Sequence, residues 1–342
     1  ADLAHAGDVL AVVRKIQGGL RGAFNLDGRE VHLTVSVGAA VYPKDGEDFE
    51  TLMSNADAAM HRVKAKGQDG FQFYASDMTQ EAAERVELES ALRSALSHQE
   101  LELHYQPQLQ LVNGNVIGVE ALMRWKHPQR GWIPPGKFIP IAEHSDLIYG
   151  LGDWALATAC RQLREWGVQA DAVRLAVNVS ARQFRSSGFT EAVGRVLRTS
   201  GLDPSRLELE LTESVLIQDQ DEGVKILERL KDLGVQIAID DFGTGYSSLS
   251  YLSRLPIDCL KIDRSFISRS ATDRHDAAIV QAIISLARSL GMRVMAEGVE
   301  TQEQLGFLRS LGCEEAQGFY FAKPLPKEAA ESFIADRTIP RK

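Results

Sequence analysis

Cysteine is scarce: the 342 residues hold three, Cys160, Cys259 and Cys313. An odd count with no C-x-x-C spacing excludes a disulfide framework and leaves buried, reduced thiols in a cytosolic protein as the expectation. No run of about 18 apolar residues occurs, so no membrane span is expected within the segment. No signal peptide is visible either, and a cytoplasmic location is expected. Because the chain opens at Ala1 rather than Met, we expect it to be cut from a longer polypeptide. Its upstream sensor, and any membrane anchor, would then lie outside this sequence. Basic residues are outnumbered, with 38 Lys and Arg against 47 Asp and Glu, giving a net charge of −9. A nucleic-acid polymer requires a basic stripe, so it is excluded as a partner. A small anionic ligand is not excluded, provided cations or a few Arg and Lys gather at one site. Several catalytic signatures are also missing. There is no G-x-S-x-G and no Ser-His-Asp arrangement. The glycines at 243–245 do not form a P-loop. His98, His104, His127 and His144 show no metal or triad spacing.

What is present divides the chain into unequal parts. Residues 1–77 read as a small α+β piece: a helix over 9–20, a strand over 31–37, a helix over 49–66 and a short strand at 71–74. Residues 78–98 read as one linker helix, with Glu81–Arg85 and Glu89–Arg93 as i,i+4 pairs. Beyond it, strand-like apolar runs at 101–111, 116–125, 173–179, 206–212, 235–241, 258–263, 293–297 and 317–322 alternate with helical stretches. Those stretches lie at 152–166, 188–200, 220–233, 274–290 and 301–311. The pattern predicts an α/β fold, a modified TIM (β/α)8 barrel over 99–336, followed by a tail at 337–342. The short Asn113-Gly114-Asn115 link is a hairpin turn, so one barrel strand should be antiparallel.

Barrel chemistry sits where the strands end. Those ends carry Glu120 and Arg124, Asn178, Glu210 and Glu213, Asp240 and Asp241, Lys261 and Asp263, Glu297 and Glu300, and Gln317. Two carboxylates about 4 Å apart repel by about 4 kcal/mol at an effective dielectric of 20, so five or six at one mouth must take up protons or bind cations. The set is all oxygen, which suits Mg²⁺ or Mn²⁺ and not zinc. Adjacent Asp240 and Asp241 can touch two metals, the usual arrangement for in-line displacement at phosphorus. Taken singly, each acid could instead cap a helix or pair with an arginine. The loop Asp240-Asp241-Phe242-Gly243-Thr244-Gly245 is, however, too glycine-rich for a simple helix start.

Glu120-Ala121-Leu122-Met123-Arg124-Trp125 resembles the signature of the EAL-domain phosphodiesterases of cyclic di-GMP. Tyr105-Gln106-Pro107, the Pro134–Pro140 stretch, Asn178–Phe184, Glu210-Leu211-Thr212-Glu213, Leu260–Asp263, Ala296–Thr301 and Gln317-Gly318 carry the likeness further. Together they cover about 98–330. The resemblance implies metal-dependent hydrolysis of cyclic di-GMP to linear 5'-pGpG, a bacterial second-messenger signal. It implies that Glu120, Asn178, Glu210 and Asp240 hold one metal, that Asp241 holds or bridges a second, and that Glu297 is a further ligand. Lys261 would stand beside the attacking water, with Glu300 and Gln317 orienting water; because the carboxylates around Lys261 should keep it charged and a poor base, we expect it to act as a cation, with Asp241 as proton acceptor. Gln106, Leu122 and Arg124 would contact substrate, Arg124 at phosphate, and Glu213 would anchor the loop after the fifth strand. Two Mg²⁺ or Mn²⁺ ions are implied, with Ca²⁺ supporting binding but not turnover, and a homodimer through the barrel. The alternative is a catalytically silent receptor for the same dinucleotide. Ser145-Asp146 departs from the usual pattern, outside the metal set. The first part resembles the C-terminal half of a GGDEF diguanylate cyclase domain, through Val35–Gly38, Ala56–Met60 and Lys64–Gly67. Its signature hairpin would precede Ala1, and Gln68-Asp69-Gly70 replaces the usual Arg-Asn, so no cyclase activity is expected of this chain.

Overall fold

The structure, a computed structural model, describes residues 34–65, 70–170, 172–213, 220–244, 249–270 and 273–337, with short pieces at 12–13, 15–16, 24–26, 29–31 and 215. It separates the chain into two units, Ala1–Arg93 and Ser94–Lys342. Most of the helix expected over 9–20 lies outside the described residues. In the first unit β1 (Phe24–Leu26) and β2 (Arg29–Val31) form an antiparallel hairpin. A parallel pair, β3 (Ser36–Ala39) and β4 (Gly70–Phe73), is joined through the helix Phe49–Ala65. Asp48 starts that helix by accepting the Thr51 amide at 2.8 Å. The strand expected over 31–37 is thus displaced toward Ala39, and residues 32–33 fall outside the description. The next helix runs Ser76–Ala95.

The larger unit is a closed barrel. In chain order its strands are β5 (Leu101–Gln110), β6 (Val116–His127), β7 (Gly131–Ile133), β8 (Arg174–Val179), β9 (Leu207–Thr212), β10 (Gln236–Phe242), β11 (Cys259–Ile262), β12 (Arg293–Ala296) and β13 (Glu315–Ala316). Seven run parallel in the order β6-β8-β9-β10-β11-β12-β13, and β5 closes the ring antiparallel to both β6 and β13. The antiparallel strand foreseen from the Asn113–Asn115 turn is therefore β5. Strand β7 extends the sheet as a three-residue hairpin on β6. The apolar run at 317–322 is not a strand. Its backbone docks on the loop after β12 instead: Val299 N–H donates to Gln317 O at 3.1 Å and Tyr320 N–H to Val299 O at 2.9 Å. A Cβ on Gly318 would lie 2.1 Å from Val299 O, so only glycine permits this approach.

Alternation along each strand sends one set of side chains outward, against helices such as Leu147–Glu165 and Arg274–Ser289, and the other set into the barrel. The inward set forms layers. At the N-terminal ends lies a charged floor of Arg174, Glu208, Gln236, Arg293 and Glu315. Above it sit the small or flexible side chains of Ala238, Cys259 and Met295, all fully buried. The third layer, at the C-terminal ends, carries the acids. Among the described residues no helix is long and apolar enough to cross a membrane.

Candidate functional site

Each acid reaches the mouth because it occupies an inward position near a strand end. Glu120 lies on β6 opposite Gln106 of β5, and Asn178 of β8 is in register with Glu210 of β9. Glu297 follows β12 directly, and Gln317 follows β13. Adjacent Asp240 and Asp241 should point to opposite faces of a regular strand. The register between β10 and β11 shifts between Ile239 and Phe242, and Asp241 adopts φ 54°, a left-handed conformation rare outside glycine and asparagine. This irregularity turns both carboxylates to the mouth. Asp240, Asp241 and Glu297 each offer an oxygen within 4.8 Å of the others.

Hydrogen bonds tie the ring together. Asn178 Nδ2 donates to Glu120 Oε1 at 2.6 Å, and Gln317 Nε2 donates to Glu120 Oε2 at 2.7 Å and to Glu297 Oε1 at 3.0 Å. Lys261, with no exposed surface, stands among the carboxylates. Its Nζ lies 2.7 Å from Glu210 Oε1, 2.5 Å from Glu297 Oε1 and 3.4 Å from Asp240 Oδ1. These are close ion pairs, while Glu210 Oε2, also buried, has no hydrogen-bonding partner. Burial raises the Glu210 carboxyl well above its ordinary range, with Lys261 opposing. Burial likewise pushes Glu297 up to about 8, against the pull of Lys261. Burial, then Asp240 and Asp263, lift Asp241 to about 6. Desolvation alone would lower the Lys261 pKa, but Asp240, Glu120, Glu210 and Glu297 together drive it well above 10.5. The ammonium is therefore held charged.

This donor set fits a hard divalent cation. Its atoms are oxygens, several are buried, and Glu210 Oε2 has no hydrogen-bonding partner. Lys261 is one cation among five carboxyl groups, of which burial favours the protonated form of Glu210 and Glu297.

The remaining expected residues lie around this ring. Gln106, buried, donates to Ala322 O at 3.2 Å. Arg124 is half-buried across from Glu102, its Nη1 donating to Met123 O at 2.8 Å. Leu122 lines a 550 Å³ pocket, mostly apolar, that also touches Pro135, Ile139, Glu143, Asn178 and Arg182. Glu213 is buried behind the mouth, where its Oε2 accepts the Gly243 amide at 3.2 Å. Glu300 is not brought among the acids. It is 41% exposed and pairs with Arg264 at 2.9 Å. Sequence reasoning missed the buried Gln108, whose Nε2 donates to Gln317 Oε1 at 3.2 Å. Its inward parity with Gln106 on β5 was the available signal. We predict that Glu213→Ala, by freeing the segment that carries Asp240 and Asp241, weakens divalent-cation and substrate binding together, by about tenfold each. Calorimetric titration of each ligand checks this, and loss of only one affinity would contradict the anchoring role.

Residues 89–324 match the family model described as EAL domain, and residues 1–70 match that described as diguanylate cyclase, GGDEF domain. The bifunctional diguanylate cyclase/cyclic di-GMP phosphodiesterase MucR of Pseudomonas aeruginosa is 47% identical over 96% of this chain and 48% of its own length. The cyclic di-GMP phosphodiesterase NbdA of the same organism is 44% identical over 98% of this chain and 43% of its own. The chain thus spans about half the length of the curated relatives it matches. A solved structure of the PaMucR phosphodiesterase in complex with c-di-GMP superposes with a TM-score of 0.70 at 51% identity, covering 71% of this chain and 99% of that one.

Proposed function

The chain belongs to the EAL-domain family, and on that premise we propose that it hydrolyses one phosphodiester of cyclic di-GMP, giving linear 5'-pGpG. The observation that carries this reading is the convergence of Glu120, Asn178, Glu210, Asp240, Asp241 and Glu297 on one rim around a buried, charged Lys261. Glu120, Asn178, Glu210 and Asp240 would hold one Mg²⁺ or Mn²⁺, and Asp241 with Glu297 a second. Such cations supply Lewis-acid polarisation at phosphorus and a water of lowered pKa. Asp241, beside the attacking water, takes its proton. Lys261 steadies the attacking oxygen as a cation, because its raised pKa makes it a poor base. Arg124, tethered by Met123 O, meets a phosphate. Gln106 and Leu122 contact the substrate, and the apolar pocket beside Leu122 receives a base. Gln317 steadies Glu120 and Glu297. Three buried, unpaired cysteines support a cytoplasmic setting.

Incubation of the chain with cyclic di-GMP and Mg²⁺, Mn²⁺ or Ca²⁺, with products separated by chromatography, tests the reading. Linear 5'-pGpG is expected with Mg²⁺ and Mn²⁺. Ca²⁺ should support binding with little turnover, since it prefers longer, looser coordination. Glu120→Ala should lose turnover and cation affinity while the fold survives. Binding without linear product under both Mg²⁺ and Mn²⁺ would assign the chain as a receptor instead.

A pH dependence follows from the same groups. Below about 8 Glu297 carries a proton in the metal-free chain, and below about 6 so does Asp241. A cation must displace those protons, so its affinity should rise from pH 6 to 8 with proton release. Calorimetry in buffers of different ionisation enthalpy reads the released protons. Affinity independent of pH across that range would refute the coupling.

A further inference from the structure

Gln317 bridges two of the carboxylates, and something must fix its amide. Its NH2 group has two hydrogens, and both are used, on Glu120 Oε2 at 2.7 Å and Glu297 Oε1 at 3.0 Å. Its carbonyl oxygen then needs a donor, which Gln108 Nε2 supplies at 3.2 Å. The opposite orientation would set the Gln317 oxygen against two carboxylate oxygens and leave its NH2 facing the NH2 of Gln108. Gln108 is fully buried, and its own Oε1 has no hydrogen-bonding partner. A buried amide with an unsatisfied acceptor is destabilising, so no gain in stability explains it there. The backbone makes room for it as well. Gly118 is in register with Gln108 across β5 and β6, and a Cβ at 118 would lie 2.3 Å from Gln108 Oε1. A side chain on β6 at that point would require the Gln108 amide to leave this position.

We infer that Gln108, in the space left by Gly118, is a positioning residue for the cation site. By donating to Gln317 Oε1 it commits the Gln317 NH2 to Glu120 and Glu297, and so sets which oxygens of those carboxylates remain directed at a cation. Gln108 touches none of the six donors in hydrogen-bonding geometry and acts only through Gln317. The inference rests on the reading of the mouth as a divalent-cation site and adds to it a residue one layer deeper.

The test is Mn²⁺ titration by calorimetry of the full metal-free chain, for the unmutated protein and for Gln108→Leu, Gly118→Ala, Gln317→Ala and the double variant Gln108→Leu/Gln317→Ala. Gln108→Leu keeps the volume and removes the donor. Gly118→Ala keeps Gln108 and displaces it, so the two reach the same defect by different routes, and circular dichroism identifies any variant that has not folded. Each should lose about tenfold or more in Mn²⁺ affinity, as outer partners of metal ligands do. The double variant should bind no more weakly than Gln317→Ala alone, because Gln108 has no other route to the site. The inference is overturned if folded Gln108→Leu and Gly118→Ala bind Mn²⁺ within twofold of the unmutated chain, or if the losses of Gln108→Leu and Gln317→Ala multiply in the double variant. An unmutated chain that binds no Mn²⁺ overturns the cation reading and this inference with it.

Discussion

Lys261→Met is expected to cut kcat by about 10²–10⁴, which is about 2.7–5.4 kcal/mol of transition-state stabilisation. The lysine is fully buried and lies within 3.4 Å of three carboxylates, so it serves as the internal counter-ion of the mouth. Two effects of its removal must be separated. One is structural: a buried carboxylate left without its partner costs about 3–5 kcal/mol, although protonation relieves part of that. Burial already raises Glu210 and Glu297, and Lys261 is the main group pulling them back, so the variant should hold more protons in the cation-free state. The other effect is on chemistry. A cation beside the attacked phosphorus gains most from the charge that develops in the transition state, so its loss falls on kcat more than on KM. Measuring kcat and KM at saturating Mg²⁺, where all molecules are loaded and folded, isolates the second effect. A variant whose Tm falls while kcat at saturating Mg²⁺ stays intact would reduce Lys261 to a structural ion pair.

Much of this site was legible because strand periodicity forces it. An acid at an inward position near the end of a barrel strand has nowhere to point but the mouth, and Glu120, Glu210, Asp240 and Glu297 follow that rule. Asp241 does not, since adjacency on a strand predicts opposite faces. It joins Asp240 only through the shifted register and the left-handed backbone, which no residue pattern announces. The run at 317–322 misled because hydrophobicity does not tell a strand from a backbone docked on a neighbouring loop, as at Gly318 against Val299. Strand β7 has three residues, too few for alternation to register. Glu300 reads as one more strand-end acid, yet Arg264 on the helix after β11 pairs with it at the surface. The barrel floor was missed for another reason. Arg174, Glu208, Arg293 and Glu315 stand at or near the starts of apolar strands, where a charge ordinarily means the strand is emerging from solvent. Only closure of the ring turns these side chains inward and against one another.

That floor carries the second large effect. Arg293→Leu is expected to lower stability by about 3–5 kcal/mol. Arg293 joins three strands: Nη2 meets Glu208 and, at 2.7 Å, Gln236 Oε1, and Nη1 lies 3.0 Å from Glu315 Oε2. The surrounding acids raise its pKa despite burial, so it is charged whenever the protein is folded. Glu315 keeps a second partner, since Arg174 Nη2 lies 2.6 Å from the same oxygen. Glu208 has no such reserve. It is fully buried, and its other oxygen, Oε1, has no hydrogen-bonding partner. Leucine at 293 would therefore leave a buried carboxylate without a counter-charge, the case in which breaking a pair costs far more than the pair contributes. For a unit of this size the loss corresponds to a fall in Tm of roughly 6–20 °C. Removing both partners should behave differently. Arg293→Met with Glu208→Leu replaces the pair by apolar side chains of similar volume, beneath the apolar layer of Ala238, Cys259 and Met295, and should recover most of the lost stability. Because that layer separates the floor from the mouth, kcat per folded molecule should stay within about twofold in both variants. Chemical denaturation of the single and double variants checks the pair, and a double variant no more stable than Arg293→Leu would show that the cost lies in packing rather than in the stranded charge of Glu208.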